Sequence, residues 1–137
     1  GCNKIALGHH LNDVIETTLM GMLYGAQIQG MLPRVKSRNF ETMELIRPLY
    51  CVKERDILSF CRYNEMQFIR CACRISEKNE QTGDGSKRQE IKALIAQLQK
   101  TNPLIEDNLF AAVHDVHLDT MLGWKKNGER HTMLERF

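Results

Sequence analysis

Strand-like and helix-like patterns alternate along the first half of the chain, and this alternation is what most constrains the fold. Short apolar runs that favour strands lie at Lys4–Leu7, Met43–Pro48 and Met66–Ile69. Between them, apolar residues recur at helical intervals from Leu11 to Leu23 and across Lys53–Tyr63. An order of strand, helix, strand, helix, strand is typical of parallel strands joined by crossover helices. The sequence therefore predicts an α/β fold.

The sequence patterns divide the chain into two parts joined by a polar segment. Residues 1–75 carry the alternation, 76–86 form a predicted flexible loop, and 87–137 a predicted helical C-terminal extension. Within the extension, helices are expected at Lys87–Lys100 and after the Asn102-Pro103 cap pair, while Asp119–Phe137 stays unassigned. Three strands are fewer than the about five or six of an average sheet. We therefore expect a partial parallel sheet, completed by a preceding segment or by a homodimer.

Charge and composition exclude some classes of function. The 137 residues include 19 basic and 17 acidic side chains, so the net charge of +2 gives no overall attraction to nucleic acids. Any RNA contact must come from local clusters. No apolar run approaches the roughly 20 residues that cross a bilayer, and the five cysteines lack the dense spacing of a secreted scaffold. We expect a cytoplasmic protein with no membrane partner.

Five segments of the first half resemble one known family. They are GHHLNDVIETTLM at 8–20, LYGAQIQGMLP at 23–33, IRPLY at 46–50, VKERDI at 52–57 and FIRC at 68–71. In this order they are similar to the second half of the N-type ATP pyrophosphatases, the PP-loop superfamily, and within it to the tRNA 2-thiocytidine synthetases. The resemblance implies a nucleotide-hydrolase-like sheet and an enzyme in which ATP adenylates a tRNA base and a sulfur donor displaces the nucleotide.

The phosphate-binding turn of that family, Ser-Gly-Gly-x-Asp-Ser after its first strand, is not found in the 137 residues. Backbone amides at such a glycine-rich turn hold the pyrophosphate. The close glycines Gly83 and Gly85 follow no predicted strand and offer no substitute. The resemblance therefore implies that the phosphate site lies in a preceding segment and that the chain is inactive by itself.

The histidine-rich turn after the first strand carries the expected catalytic residues. The resemblance places His9 and His10 near the phosphates and assigns nucleotide contacts to Gly8, His9 and Arg47. Imidazoles can donate to phosphoryl oxygens or carry protons, and Asp13 or Glu16 could hold Mg²⁺ through water. Three other interpretations of these residues remain open. Asp13 and Glu16 have the spacing of a capping box, one histidine could be a buried hydrogen-bonding residue, and Arg47 could pair with Glu54 or Asp56. Many relatives carry Asp where Asn12 stands, which weakens a two-carboxylate metal site.

Cys71 and Cys73 are the expected metal ligands. The thiocytidine group carries Cys-x-x-Cys after the FIRC segment, which with an upstream pair holds an iron–sulfur cluster, whereas this chain has Cys-x-Cys. In an extended segment the two α-carbons lie roughly 6.6 Å apart, which is compatible with two ligands of a [4Fe-4S] cluster or of zinc. Further ligands must come from elsewhere. Free structural thiols are the alternative, and Cys2, Cys51 and Cys61 are expected to be incidental.

Basic residues of the connection before the second predicted strand and at the start of the helix Lys87–Lys100 are candidates for tRNA contacts. They are Arg34, Lys36, Arg38, Lys87 and Arg88. Solvated surface is the alternative for such short charge runs. His114 and His117 have a spacing compatible with metal binding, but a surface role at a helix end is favoured because no acid or cysteine set accompanies them.

Three functions from different classes follow from the sequence. The first is part of an ATP-dependent tRNA-thiolating enzyme. The second is a lysidine-synthetase-like tRNA ligase of the same superfamily, which needs ATP but no cluster. The third is a non-catalytic RNA-binding or assembly module.

Overall fold

Short strands and longer helices alternate in the computed structural model, which describes residues 1–37, 39–40, 42–67 and 84–136. In chain order the elements are β1 (Lys4–Ala6), α1 (Leu11–Gly25), β2 (Arg34–Lys36), β3 (Glu44–Ile46), α2 (Glu54–Tyr63), α3 (Asp84–Gln99), α4 (Ile105–His114), β4 (Gly123–Lys126) and β5 (Glu129–Thr132). Single 3₁₀ turns lie at Leu118–Thr120 and Met133–Arg136. The predicted α/β class is confirmed.

The first three strands form one sheet with the order β1-β3-β2. β1 and β3 pair in parallel, with Ile5 opposite Leu45, as the alternation predicts. β2 pairs with β3 antiparallel, with Val35 opposite Leu45. The expectation of a basic connection at 34–36 was therefore wrong, because this segment is a strand. A three-residue Arg-Val-Lys strand carries a single apolar residue and shows no periodicity in the sequence.

The segment around the third predicted strand falls largely outside the described residues. Met66 and Gln67 have no strand backbone, and the remainder of Met66–Ile69 is not described. Helix α3 starts at Asp84, so residues 84–86 are helical rather than part of the predicted loop. The rest of the predicted loop at 76–86 is likewise not described.

Helix α1 begins three residues before the start that the Asp13 and Glu16 spacing predicts, because that spacing makes Asp13 the N-cap. Its first residue is Leu11 and its N-cap is His10, in extended conformation. Asp13 is thereby the third residue of the helix, where its carboxylate accepts the backbone N–H of His10 at 3.0 Å. The helix ends at Gly25, and Ala26 follows with a φ of 51°. The turn between β1 and α1 is thus held by a local hydrogen bond.

The core lies among α1, α3 and α4 rather than on the sheet. Its buried members are Leu11, Ile15, Ile91 and Ile95, with Leu19, Met20, Ile105, Leu109 and Phe110 packed around them. Each of the fully buried isoleucines contributes about 1.5–3 kcal/mol through burial. This packing fixes the start of α1, and with it the histidine turn, against the C-terminal helices.

Two further differences concern the exposed parts of the chain. The periodic apolar residues of α2 predict an inward face, but Phe60 in this helix is 61% exposed. The unassigned tail forms a hairpin in which β4 and β5 pair antiparallel. Its turn residues Asn127 and Gly128 have φ values of 54° and 87°, which suit Asn and Gly. The predicted helical extension therefore contains two helices and a hairpin.

Candidate nucleotide-binding site

The carboxyl ends of β1 and β3 lie side by side, and the candidate residues follow directly from them. The backbone N–H of Leu7, just after β1, donates to the carbonyl of Ile46, the last residue of β3, at 2.9 Å. Gly8, His9 and His10 continue from β1, and Arg47 continues from β3. Ligands of open α/β sheets bind beyond the carboxyl ends of parallel strands. The geometry brings His9 and Arg47 together, as the resemblance implies.

Arg47 orients His9. The Arg47 Nε–H donates to His9 Nδ1 at 3.3 Å. Because Nδ1 accepts, a neutral His9 carries its proton on Nε2. Arg47 also donates from Nη1 to the carbonyl of Leu32, and its backbone N–H donates to the carbonyl of Pro33 at 2.9 Å. The guanidinium therefore ties the histidine turn to the segment that enters β2.

The alternative ion pair of Arg47 with Glu54 or Asp56 is not what the structure shows. Glu54 lies 3.9 Å from Lys92 Nζ, and Asp56 pairs with Arg55 at 3.7 Å. Within the part of the chain that the structure describes, the Arg47 guanidinium thus lies beside a histidine and the Leu32 carbonyl rather than beside a carboxylate. A cation in this setting is suited to an anionic ligand.

His10 has a different environment from His9. It caps α1, and its Nε2 lies 3.4 Å from Asp13 Oδ2. Its Nδ1 is buried and has no hydrogen-bond partner within the part of the chain that the structure describes. An orphaned buried nitrogen is costly unless a ligand or water satisfies it. His10 therefore combines a structural contact through Nε2 with an unsatisfied Nδ1.

Asp13 and Glu16 are held by two cations of α3. The Arg88 guanidinium reaches Asp13 Oδ1 through Nη2 at 3.2 Å and Glu16 Oε2 through Nε at 2.8 Å. Lys92 Nζ lies 3.8 Å from Glu16 Oε1, and the Glu16 side chain is only 3% exposed. Together with the N–H of His10, these groups provide a partner for all four carboxylate oxygens. The arrangement fits capping and ion pairing, and it does not fit the expected Mg²⁺ site.

Arg88 was expected to contact RNA, and the structure instead places it in this ion-pair cluster. Two of the other basic candidates, Arg34 and Lys87, also contact neighbouring side chains. Arg34 pairs with Glu44 across the sheet, and this hydrogen bond lowers the pKa of the Glu44 carboxyl. Lys87 Nζ lies 5.6 Å from the centre of the Tyr24 ring. Lys36 is exposed on β2, and Arg38 lies outside the described residues.

Asn12 is the site residue that sequence reasoning missed. Its Nδ2 donates to Glu106 Oε1 on α4 at 2.6 Å, and its Oδ1 accepts the backbone N–H of Glu54 at 2.9 Å. One amide therefore joins the histidine turn to the N-terminus of α2 and to a buried carboxylate. The signal was the departure from Asp, because only an amide can donate to Glu106 and accept from Glu54 at once.

The expected metal ligands Cys71 and Cys73 lie outside the described residues. Among 1–37, 39–40, 42–67 and 84–136, no group of three His, Cys, Asp or Glu residues is arranged to hold a metal. His114 packs against Tyr50 and Phe110, and His117 lies near Asp115 at the exposed end of α4. Their surface role is as expected. No helix in the described ranges is both long and apolar enough to span a membrane.

Parallel strands that bring a histidine turn and an arginine together at their carboxyl ends define an α/β protein with a candidate ligand site at this edge of the sheet. Comparison with known families agrees with this class. A family model described as the PP-loop domain matches residues 1–79, which is more than half of the chain. The chain belongs to the PP-loop family.

Curated relatives carry the name tRNA-cytidine(32) 2-sulfurtransferase. One from Geobacter sulfurreducens is 39% identical over 116 residues, covering 85% of this chain and 43% of the relative. One from Coxiella burnetii, strain RSA 493, is 39% identical over 116 residues with the same shares. The chain thus spans less than half the length of these relatives.

A solved structure shares the fold. The U34-tRNA thiolase NcsA from Methanococcus maripaludis, with its [4Fe-4S] cluster, matches with a TM-score of 0.60 and 19% identity. The match covers 82% of this chain and 36% of the thiolase chain. It supports the nucleotide-hydrolase-like fold that the resemblance implies.

Proposed function

We propose that this chain is part of an ATP-dependent enzyme that thiolates cytidine in tRNA. The support comes from the PP-loop match and from the relatives named tRNA-cytidine(32) 2-sulfurtransferase, which cover 85% of the chain. The structural observation that carries the proposal is the Arg47 to His9 contact at adjacent parallel strand ends. The lysidine-synthetase-like ligase is the second candidate, and it shares the nucleotide site but needs no sulfur.

The proposed chemistry has two displacement steps. In the first, the carbonyl oxygen of the base attacks the α-phosphorus of ATP, the bond to the bridging oxygen breaks, and pyrophosphate leaves. In the second, a sulfur nucleophile from a donor adds to the carbon that carried this oxygen, the carbon–oxygen bond breaks, and AMP leaves with the oxygen. Both steps develop negative charge on phosphoryl oxygens, which positioned donors stabilise.

His9 and Arg47 are the proposed donors to the nucleotide. The Arg47 contact sets the Nε2–H tautomer of His9, which can donate to a phosphoryl oxygen, and the guanidinium adds a fixed positive charge beside it. Gly8 carries no side chain, and a Cβ there would meet no atom within 4 Å. The strand exit is therefore open to a ligand. His10, whose buried Nδ1 lacks a partner in the described residues, is a further group that a bound nucleotide can satisfy.

Cys71 and Cys73 are proposed as two ligands of a [4Fe-4S] cluster. The support is the Cys-x-Cys spacing and the cluster in the NcsA thiolase, which shares the fold. When bound, such a cluster supplies an iron that can carry the incoming sulfur. The exposed basic residue Lys36 stays a proposed tRNA contact, as does Arg38. Asp13 and Glu16 are proposed to shape the turn and not to hold Mg²⁺.

The test is tRNA nucleoside analysis by mass spectrometry in cells that lack the gene encoding this chain. We expect 2-thiocytidine to disappear and to return with the wild-type gene. H9A and R47A should restore it at least about tenfold more slowly, because each removes a hydrogen bond to a charged group. H117A is the matched control and should restore it fully, because His117 is exposed and its side chain lies near Asp115 at the end of α4. Persistence of 2-thiocytidine would refute the proposal, and loss of lysidine instead would favour the ligase.

A further inference from the structure

The C-terminal hairpin has a surface that the family match does not reach, because that match ends at residue 79. In the register of β4 and β5, Lys125 stands directly opposite Arg130. Both side chains are exposed. Side chains alternate between the two faces of a hairpin, so these two cations share one face.

The other face of the hairpin has a different character. Trp124 stands opposite His131, and their rings stack with centroids 5.4 Å apart and an interplanar angle of 18°. Lys126 stands opposite Glu129 on this same face, a pair of opposite charges. The Asn127-Gly128 turn and the aromatic pair therefore supply the stability of the hairpin.

The pair of Lys125 and Arg130 works against that stability. Like charges directly opposite each other in an antiparallel pair destabilise that pair. The repulsion is relieved when an anion lies across both side chains. A surface of this kind is suited to a ligand with closely spaced negative charges, such as a chain of phosphates.

We propose that the Lys125 and Arg130 face of the hairpin binds the phosphate backbone of the tRNA substrate. This inference rests on the proposed function for the identity of the polyanion. RNA is favoured over an acidic protein because the closely spaced phosphates of a nucleic-acid strand can lie across both cations at once. The hairpin thereby extends the substrate contact beyond the nucleotide site.

Trp124 allows a direct test because it is the only tryptophan of the chain. Unmodified tRNA is titrated into the protein while Trp124 emission, corrected for absorbance, is followed at several salt concentrations. We expect emission to change with binding. In K125Q/R130Q the dissociation constant should rise by about tenfold at low salt, and the slope of log affinity against log salt should decrease by about two.

The matched control is K126Q, which removes one charge from the same hairpin on the opposite face. Its affinity should stay within about twofold of the wild type. A loss of folding can be distinguished from a loss of binding by thermal unfolding, followed through the near-ultraviolet signal of Trp124. Because K125Q/R130Q removes the repulsion between the two cations, its midpoint temperature should equal or exceed that of the wild type.

Each other outcome is decisive. Equal tRNA affinity for wild type and K125Q/R130Q would overturn the hairpin site and leave the proposed function intact. Absence of any tRNA binding by the wild type would overturn the hairpin site, and the nucleoside analysis would still decide the proposed function. Binding of polyglutamate as tight as that of tRNA, with the same loss in K125Q/R130Q, would replace RNA with an acidic protein partner.

Discussion

At the scale of single residues, the histidine turn depends on groups that the sequence pattern does not pair. Asn12 bridges Glu54 and Glu106, which are 42 and 94 residues away along the chain. Arg88 reaches Asp13 and Glu16 from 75 and 72 residues away. The turn is therefore held by the C-terminal extension as much as by its own strand and helix.

We expect N12D to destabilise the chain by about 1–3 kcal/mol. The introduced aspartate keeps the acceptor for the Glu54 N–H but loses the donor to Glu106 and sets two carboxylates against each other. Chemical denaturation at neutral pH measures the change. In N12D/E106Q the glutamine amide can donate to the introduced carboxylate, so most of the stability should return. A double variant no more stable than N12D would contradict this account of the bridge.

The resemblance and the local sequence pattern predicted part of this site, and the rest was missed for a physical reason. The resemblance implied the histidine turn and Arg47, which follow strand ends. The local pattern predicted that Asp13 caps α1 together with Glu16, whereas in the structure Asp13 accepts the N–H of the N-cap His10. The partners of Glu16 and Asn12 cannot be predicted, because they arise only when α3 and α4 pack on α1. For the same reason Arg88, which looks like a solvated cation in the sequence, belongs to a cluster around a buried carboxylate.

At the scale of elements, the helices were easier to predict than the strands. Helices α1, α2 and α4 lie close to their predicted ranges because ten or more residues carry a periodic signal. Strand β2 has only three residues and is defined by its pairing with β3. The hairpin had a signal in the adjacent Asn127 and Gly128, which the mixed polar composition of the flanking strands obscured.

Gly30 lies where the chain passes close to both α1 and α4, and its substitution tests this packing. A Cβ on Gly30 would lie 2.9 Å from Val113 Cγ1 on α4 and 3.8 Å from Thr18 Oγ1 on α1. We expect G30A to cost about 1–3 kcal/mol of unfolding free energy through overpacking. Urea unfolding measures it, and the cost should shrink when G30A is made in a V113A background.

G25A is the matched control for G30A. Its Cβ would meet only the Gln27 side chain, at the ordinary contact distance of 3.6 Å. Alanine also favours the helical conformation over glycine, so G25A should leave stability unchanged or raise it slightly. Equal losses for the two variants would show that the Val113 contact is not the cause.

At the scale of the whole molecule, the helical core is buried, whereas apolar residues of the sheet remain exposed. The residues Ile5, Leu45 and Val35 form one row across the three strands. They line a groove of about 690 Å³ together with Phe40 and Met43. Ile5 and Phe40 are 52% and 67% exposed. An apolar surface of this kind binds other apolar surfaces or hydrophobic dyes.

The apolar groove can be tested in solution with a hydrophobic dye. V35T/F40S should lower the fluorescence of the dye ANS bound to the folded chain by at least about half, because it removes apolar surface from the groove. Its unfolding free energy should stay within about 1 kcal/mol of the wild type, since both side chains are exposed and contribute little burial. L122S is the control. Leu122 is 80% exposed but lies outside the groove, so its substitution should leave most of the ANS signal. An equal loss in L122S would mean that the dye reports scattered exposed residues and not the uncovered face of the sheet.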